Sequence, residues 1–227
     1  MMDKGKLSFD KSVLLLIDYQ YAYSAESRFK TINWDKVVIK AKKLLNICRK
    51  KKIPVVHTRM RREADGVGSH PNDPRDENGL PLYTVAGTKE IKIIEELKPL
   101  EGEKVIDKHR FSAFFQTNLD LILRGLGANH LIMSGISTDQ CFLTTVYGAY
   151  HRCYDITIVK DACAASSEAI HKTSILDLSN WVYGCSIFAA EELIKAINGE
   201  QYHGWFWRKP GEHVYSIETI EEMYEQI

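Results

Sequence analysis

An aspartate, a lysine and a cysteine stand at the ends of three short apolar runs. These are Val13–Asp18, Val105–Lys108 and Leu131–Gly135, the last continuing through Ile136-Ser137-Thr138-Asp139-Gln140 to Cys141. Each run has the length of a strand. In an open parallel sheet, ligands bind in the crevice beyond the carboxyl ends of the strands. The three groups are therefore expected to meet at one edge. A carboxylate, an ammonium and a thiol are the parts of a cysteine nucleophile with its base and a positive charge beside it.

Each residue alone has a plainer reading. Asp18 and Lys108 could form a structural ion pair, because a carboxylate at the end of an apolar strand is costly to desolvate without a partner. Cys141 could be a small buried filler. Its position argues otherwise. With Thr138 as N-cap, Cys141 would lie in the first turn of a helix, where the partial positive charge favours the thiolate. The free N–H groups there can hold a developing oxyanion. Three such groups on separate strand ends favour chemistry over coincidence.

The elements that must position them alternate regularly. After Ser12–Asp18 comes a tyrosine-rich loop, then a helix whose apolar residues Trp34, Val37, Val38, Ala41, Leu44, Leu45 and Cys48 recur at helical spacing, with Asn33 as N-cap. Ile53–Thr58 reads as a strand. Helix Lys89–Leu97, strand Lys104–Lys108 and helix Leu119–Leu126 follow. Strand His130–Gly135, helix Asp139–Arg152, strand Asp155–Val159, helix Glu168–Trp181, strand Cys185–Phe188 and helix Ala190–Asn198 complete the pattern. Six strands separated by helices predict an α/β fold: a mainly parallel, Rossmann-like sheet with helices on both faces. Residues 1–227 read as one domain. The segment Arg59–Thr88, rich in glycine and proline, reads as a binding loop or lid. The tail 199–227 breaks the rhythm with His203-Gly204-Trp205-Phe206-Trp207 and a short amphipathic helix over Ile217–Gln226. An aromatic patch of this kind marks an interface or packs on the chain's own sheet.

Composition narrows the partners. Thirty basic and thirty acidic residues give zero net charge, so no long-range field draws in nucleic acid or acidic lipid. No apolar stretch reaches membrane-spanning length, and Met1–Lys6 leads into no signal-peptide hydrophobic region. The five cysteines are scattered without a CxxC pair, which disfavours a disulfide framework or a structural zinc site. A cytoplasmic protein is expected.

Three segments now combine: Ile17-Asp18-Tyr19-Gln20, Lys108-His109-Arg110-Phe111-Ser112-Ala113-Phe114-Phe115, and Gly135-Ile136-Ser137-Thr138-Asp139-Gln140-Cys141. Together with Val159–Ala165, and over roughly Ser12 to Asn198, they resemble the isochorismatase-like (cysteine amidohydrolase) superfamily. The resemblance implies an Asp18-Lys108-Cys141 triad, a cis peptide at Ile136-Ser137, and an oxyanion hole from the Ser137 and Cys141 N–H groups. Lys-x-x-x-Ser-Ala-Phe-Phe followed by Thr117 looks closest to amidases of N-carbamoyl and ureido compounds. For these the resemblance implies no cofactor and no catalytic metal, and a homodimer or homotetramer. It also suggests Tyr23 as an aromatic wall of the substrate site. Gln20 and Phe114 are further candidates, and Arg59 could clamp a substrate carboxylate.

The departures also inform. Nicotinamidases of the superfamily bind a metal through Asp-x-His after the second strand, where this chain has Met60-Arg61-Arg62. A nicotinamidase-type enzyme would need a metal site assembled from His57, His70 and Asp73. True isochorismatases lack the nucleophilic cysteine. The other rival is an inactive binding module, against which the complete triad argues. The expected activity is hydrolysis of a small linear amide or ureido C–N bond.

Overall fold

The computed structural model describes residues 7–227; the expectation for Met1–Lys6 lies outside the described residues. Strands β1 (Ser12–Ile17), β2 (Val55–Met60), β3 (Lys104–Lys108), β4 (His130–Gly135), β5 (Asp155–Val159), β6 (Ser186–Phe188) and β7 (Trp205–Phe206) form one sheet in the order β3-β2-β1-β4-β5-β6-β7. All neighbours run parallel except β6 and β7. Chain direction across the sheet reverses between β1 and β4. That reversal opens a crevice beyond their carboxyl ends.

β1 reads Ser-Val-Leu-Leu-Leu-Ile and is buried along its whole length, as a strand covered on both faces must be. On one face Leu14, Leu16 and Val55 pack against α1 (Trp34–Lys50), joined there by Leu193 and Ile197 of a later helix, α5. On the other face Val13, Leu15, Ile17, Val56 and Met60 meet α2 (Leu119–Gly125), α3 (Leu143–Tyr150) and α4 (Glu168–Trp181). The helix α5 spans Ala190–Asn198, and α6 (Ile220–Glu225) lies on α4, placing Tyr224 and Ile227 in that second core.

Several sequence expectations need correction. The helix expected over Lys89–Leu97 is only a 3-10 turn at Glu95–Leu97. The preceding backbone instead pairs with residues 19–22: Ile94 N–H donates to Tyr19 O, and Lys92 and Glu90 carbonyls accept from Tyr21 and Ala22. Those cross-chain bonds replace the i→i−4 ladder. Asn33 sits in the left-handed region and makes no side-chain cap. The aromatic tail supplies a seventh strand: Trp205 is buried on the chain's own sheet, and Trp207 stacks 5.0 Å from Tyr183. The indole that the sequence offered to an interface therefore has an intramolecular partner.

Candidate active site

Asp18 follows β1 with φ +54°, a left-handed turn that aspartate tolerates better than most residues. The turn swings its carboxylate toward β2, where Thr58 Oγ1 donates to Oδ1 at 2.6 Å. Lys108 ends β3 on the same sheet face as Ile106, as the register partner of Met60 on β2. Its Nζ lies 2.7 Å from Asp18 Oδ2, 3.1 Å from Cys141 Sγ and 3.2 Å from Arg110 O. The ammonium donates to Cys141 Sγ and Arg110 O and forms an ion pair with Asp18 Oδ2. Asp18 and Lys108 are 0 % exposed and Cys141 is 3 % exposed. The three residues singled out from sequence thus form one buried contact group.

Burial alone would strip charge from Lys108, yet the adjacent Asp18 and Cys141 outweigh it and raise its pKa. Lys108 is therefore a fixed cation, not a base. Cys141 behaves differently from the sequence expectation. Burial first, and then the Asp18 charge and hydrogen bond, raise its thiol against the downward pull of Lys108, to about 12. The balance of these influences favours the protonated thiol. Burial is the main influence against the thiolate expected from a helix N-terminus, and the helix end itself also differs. Cys141 lies in a π-helical turn, Thr138–Phe142, preceding α3, and Thr138 bonds elsewhere instead of capping.

The peptide Ile136-Ser137 is cis. Ile136 N–H is tied to Ile17 O and Thr138 N–H to Ala164 O, whereas the intervening Ser137 N–H donates to no protein acceptor among the described residues. Thr145 Oγ1 donates to Cys141 O at 2.6 Å and accepts from Ala113 N–H at 3.0 Å, joining the nucleophile's turn to the segment after Lys108.

Of the four substrate-binding candidates, Tyr23 stands beside the triad. Burial raises its hydroxyl pKa well above the usual value, and the nearby Cys141 and Asp18 charges add to that. The other three are engaged elsewhere. Gln20 is fully buried, its amide donating to Met60 O and Ile91 O and accepting from Met60 N–H. Strand alternation turns Arg59 to the sheet face opposite Met60 and Lys108, where it pairs with Asp107. Phe114 packs in the core against Tyr154, with Arg152 over its ring at 4.8 Å.

Sequence reasoning missed Thr58, Arg62 and Tyr83. Thr58 was legible in part, since a hydroxyl at the end of β2 is the register neighbour of Ile17, next to Asp18. Arg62 is buried, donating to Asp73, Thr84 Oγ1 and Tyr83 OH, with its guanidinium 4.0 Å from the Tyr83 ring centroid. Burial raises the Tyr83 hydroxyl pKa, and its ring lies 4.3 Å from that of Phe29. Nothing local in the irregular loop signalled that Tyr83 would pair with Arg62. The proposed metal ligands do not converge: His57 pairs with Glu103, Asp73 with Arg62, and His70 lies exposed. Among the described residues, no three His, Cys, Asp or Glu side chains are grouped to hold a metal ion. These residues do not fit a resident metal.

The isochorismatase domain family profile matches residues 12–190. The chain belongs to the isochorismatase family. It is 33% identical over 155 residues to a secreted isochorismatase effector, Isc1, of Verticillium dahliae, covering 68% of this chain and 73% of that one. Identity to the ureidoacrylate amidohydrolase RutB of Rhizobium rhizogenes is 27% over 171 residues, covering 67% and 70%. The crystal structure of N-carbamoylsarcosine amidase from Thermoplasma acidophilum superposes with a TM-score of 0.66 at 29% identity, covering 80% of this chain and 98% of the other. This isochorismatase-family chain is thus a hydrolase of that fold. No helix among the described residues is long and apolar enough to cross a membrane.

Proposed function

We propose that this hydrolase cleaves a small linear amide or ureido C–N bond through a thioester on Cys141, without a catalytic metal. The observation that carries the reading is the buried contact of Lys108 Nζ with both Asp18 Oδ2 and Cys141 Sγ, at 2.7 and 3.1 Å. Similarity to proteins described as a ureidoacrylate amidohydrolase and an N-carbamoylsarcosine amidase supports the substrate class.

With the thiol pKa raised by burial, proton transfer accompanies attack. Sγ attacks the substrate carbonyl carbon as its proton passes to Asp18, and Lys108 remains charged beside the sulfur and the carboxyl. The carbonyl π electrons move to oxygen, and the oxyanion is held by the Ser137 and Cys141 N–H groups. The C–N bond then breaks, its electron pair stays on nitrogen, and Asp18 returns the proton to the leaving ammonia or amine. Water next loses a proton to Asp18 and attacks the thioester. The C–S bond breaks, and Sγ recovers its proton from Asp18. The buried Tyr23 and the half-buried Tyr83 are the aromatic residues assigned to the walls of the site.

Five free cysteines support a reducing, cytoplasmic location, and the family resemblance supports a homodimer or homotetramer. Ammonia release screened over small amides and ureido acids tests the activity. Turnover of a ureido or carbamoyl compound that persists in chelator supports the reading. Turnover abolished by chelator and restored by a divalent metal overturns its metal-free part.

A further inference from the structure

The nucleophile's turn is held from behind by a chain of side chains that begins outside the matched domain. Thr138 is fully buried, and its Oγ1 lies 2.9 Å from His171 Nδ1 on α4. The other ring nitrogen, His171 Nε2, lies 3.0 Å from the hydroxyl of Tyr224 on α6. The imidazole and phenol rings meet edge-on at 5.7 Å between centroids. A neutral imidazole carries one donor and one acceptor, so two hydroxyls, each able to play either part, satisfy it completely.

Tyr224 is itself anchored. Lys160 Nζ lies 4.5 Å over its ring and donates to its carbonyl at 3.3 Å, while Lys172 stands over the ring at 5.5 Å and pairs with Glu221. Lys160 opens the turn leading to Ala164, whose carbonyl accepts the Thr138 N–H. Tyr224 therefore touches both segments that fix Thr138. Thr138 lies directly between the Ser137 N–H and the turn that carries Cys141. The matched family domain ends at residue 190, so Tyr224 belongs to the part of this chain beyond it.

We propose that Tyr224 is a positioning residue for catalysis, acting through His171 and Thr138 to hold the oxyanion-binding turn Ser137–Cys141. The inference rests on the reading of Cys141 as nucleophile. A displacement near 1 Å at reacting groups can lower turnover about 10²-fold. Such a loss falls on the transition state, because the donors serve the tetrahedral oxyanion more than the bound substrate.

The test compares full-length wild type, Tyr224→Phe and Met223→Ala. Met223 packs on the same core from α6 without sharing the hydroxyl chain. Two quantities are read: amide hydrogen exchange of a peptide spanning residues 136–142, and kcat and KM for an amide found by ammonia release. Tyr224→Phe should speed exchange in that peptide and lower kcat about tenfold or more, with KM within about twofold. Met223→Ala should lower the melting temperature with kcat unchanged. If Tyr224→Phe does not fold, Thr138→Val breaks the same chain at its other end and should give the same pair of changes. Unchanged exchange overturns the coupling, and faster exchange with native kcat overturns the catalytic role. Should wild type hydrolyse no amide, the functional reading fails separately, and exchange alone still decides whether Tyr224 holds the turn.

Discussion

Gly135→Ala tests how closely the two central strands must approach to form the site. Gly135 is the register partner of Ile17, the residue before Asp18. A methyl built there would lie 2.4 Å from Ile17 Cβ, 2.6 Å from Ile17 O and 3.0 Å from Ile17 Cα. Non-bonded carbons rest about 3.5–4.0 Å apart, so the strands must part locally by roughly 1 Å. Two of the three obstructing atoms are backbone, and both strands are buried, so no side-chain rotation relieves the clash. Overpacking of a core costs about 1–3 kcal/mol, and a backbone obstacle puts this site near 3 kcal/mol or above. For a chain of this length that lowers Tm by about 6–12 °C. The opening lies where Asp18 leaves β1 and Ile136 leaves β4, so turnover should fall about 10²-fold. Urea unfolding gives the stability and ammonia release by the folded enzyme gives kcat. A variant within about 0.5 kcal/mol of wild type and within twofold in kcat would refute the reasoning.

Cys141→Ser should retain the fold and lose turnover, checked by melting temperature and ammonia release. Iodoacetamide should label the exposed Cys153 first and Cys141 slowly, because burial holds that thiol protonated; peptide mapping reads the order. Lys108→Met should abolish activity and destabilise by about 3–5 kcal/mol, leaving Asp18 buried without its cation. Adding Asp18→Asn should restore part of that stability, measured by urea unfolding. Burial lowers His130 and His171 to about 4, so the unfolded chain binds more protons below the ordinary histidine pKa. Stability conferred by their neutral forms is full above pH 6.5 and falls as pH drops toward 4, by about 2 kcal/mol each at pH 5; urea unfolding at pH 7 and pH 5 should show the loss. Light scattering should report a dimer or tetramer; Phe111, Phe115, Trp181, Tyr183 and Phe206 are exposed aromatic residues available to its interface.

The sheet and the meeting of Asp18, Lys108 and Cys141 were legible because both follow from local signals. An apolar run of five or six residues announces a doubly covered strand, and its last residue must lie at the crevice. The switch of direction between β1 and β4 then brings Asp18 and Cys141 together without further information. What stayed hidden depends on partners distant in sequence. Lys89–Leu97 has helical composition but pairs with residues 19–22. Arg59 is one residue out of phase with Lys108's neighbour Met60, a parity that only the observed register fixes. Thr138 reads as a cap until His171, 33 residues away, takes its hydroxyl. The thiol's protonation was misjudged because motif position reports the helix end and the lysine but not the depth of burial, and here burial is the largest influence.

The central claim is that Cys141 Sγ carries the acyl group. Its most direct measurement is rapid quenching of the enzyme during turnover of a small amide or ureido acid, followed by intact-mass and peptide-mapped mass spectrometry. The account predicts a transient acyl or carbamoyl mass on the Cys141 peptide, forming with ammonia or amine release and lost on hydroxylamine treatment, as a thioester is. Turnover with the adduct on another residue, or turnover that survives Cys141→Ala, would contradict it.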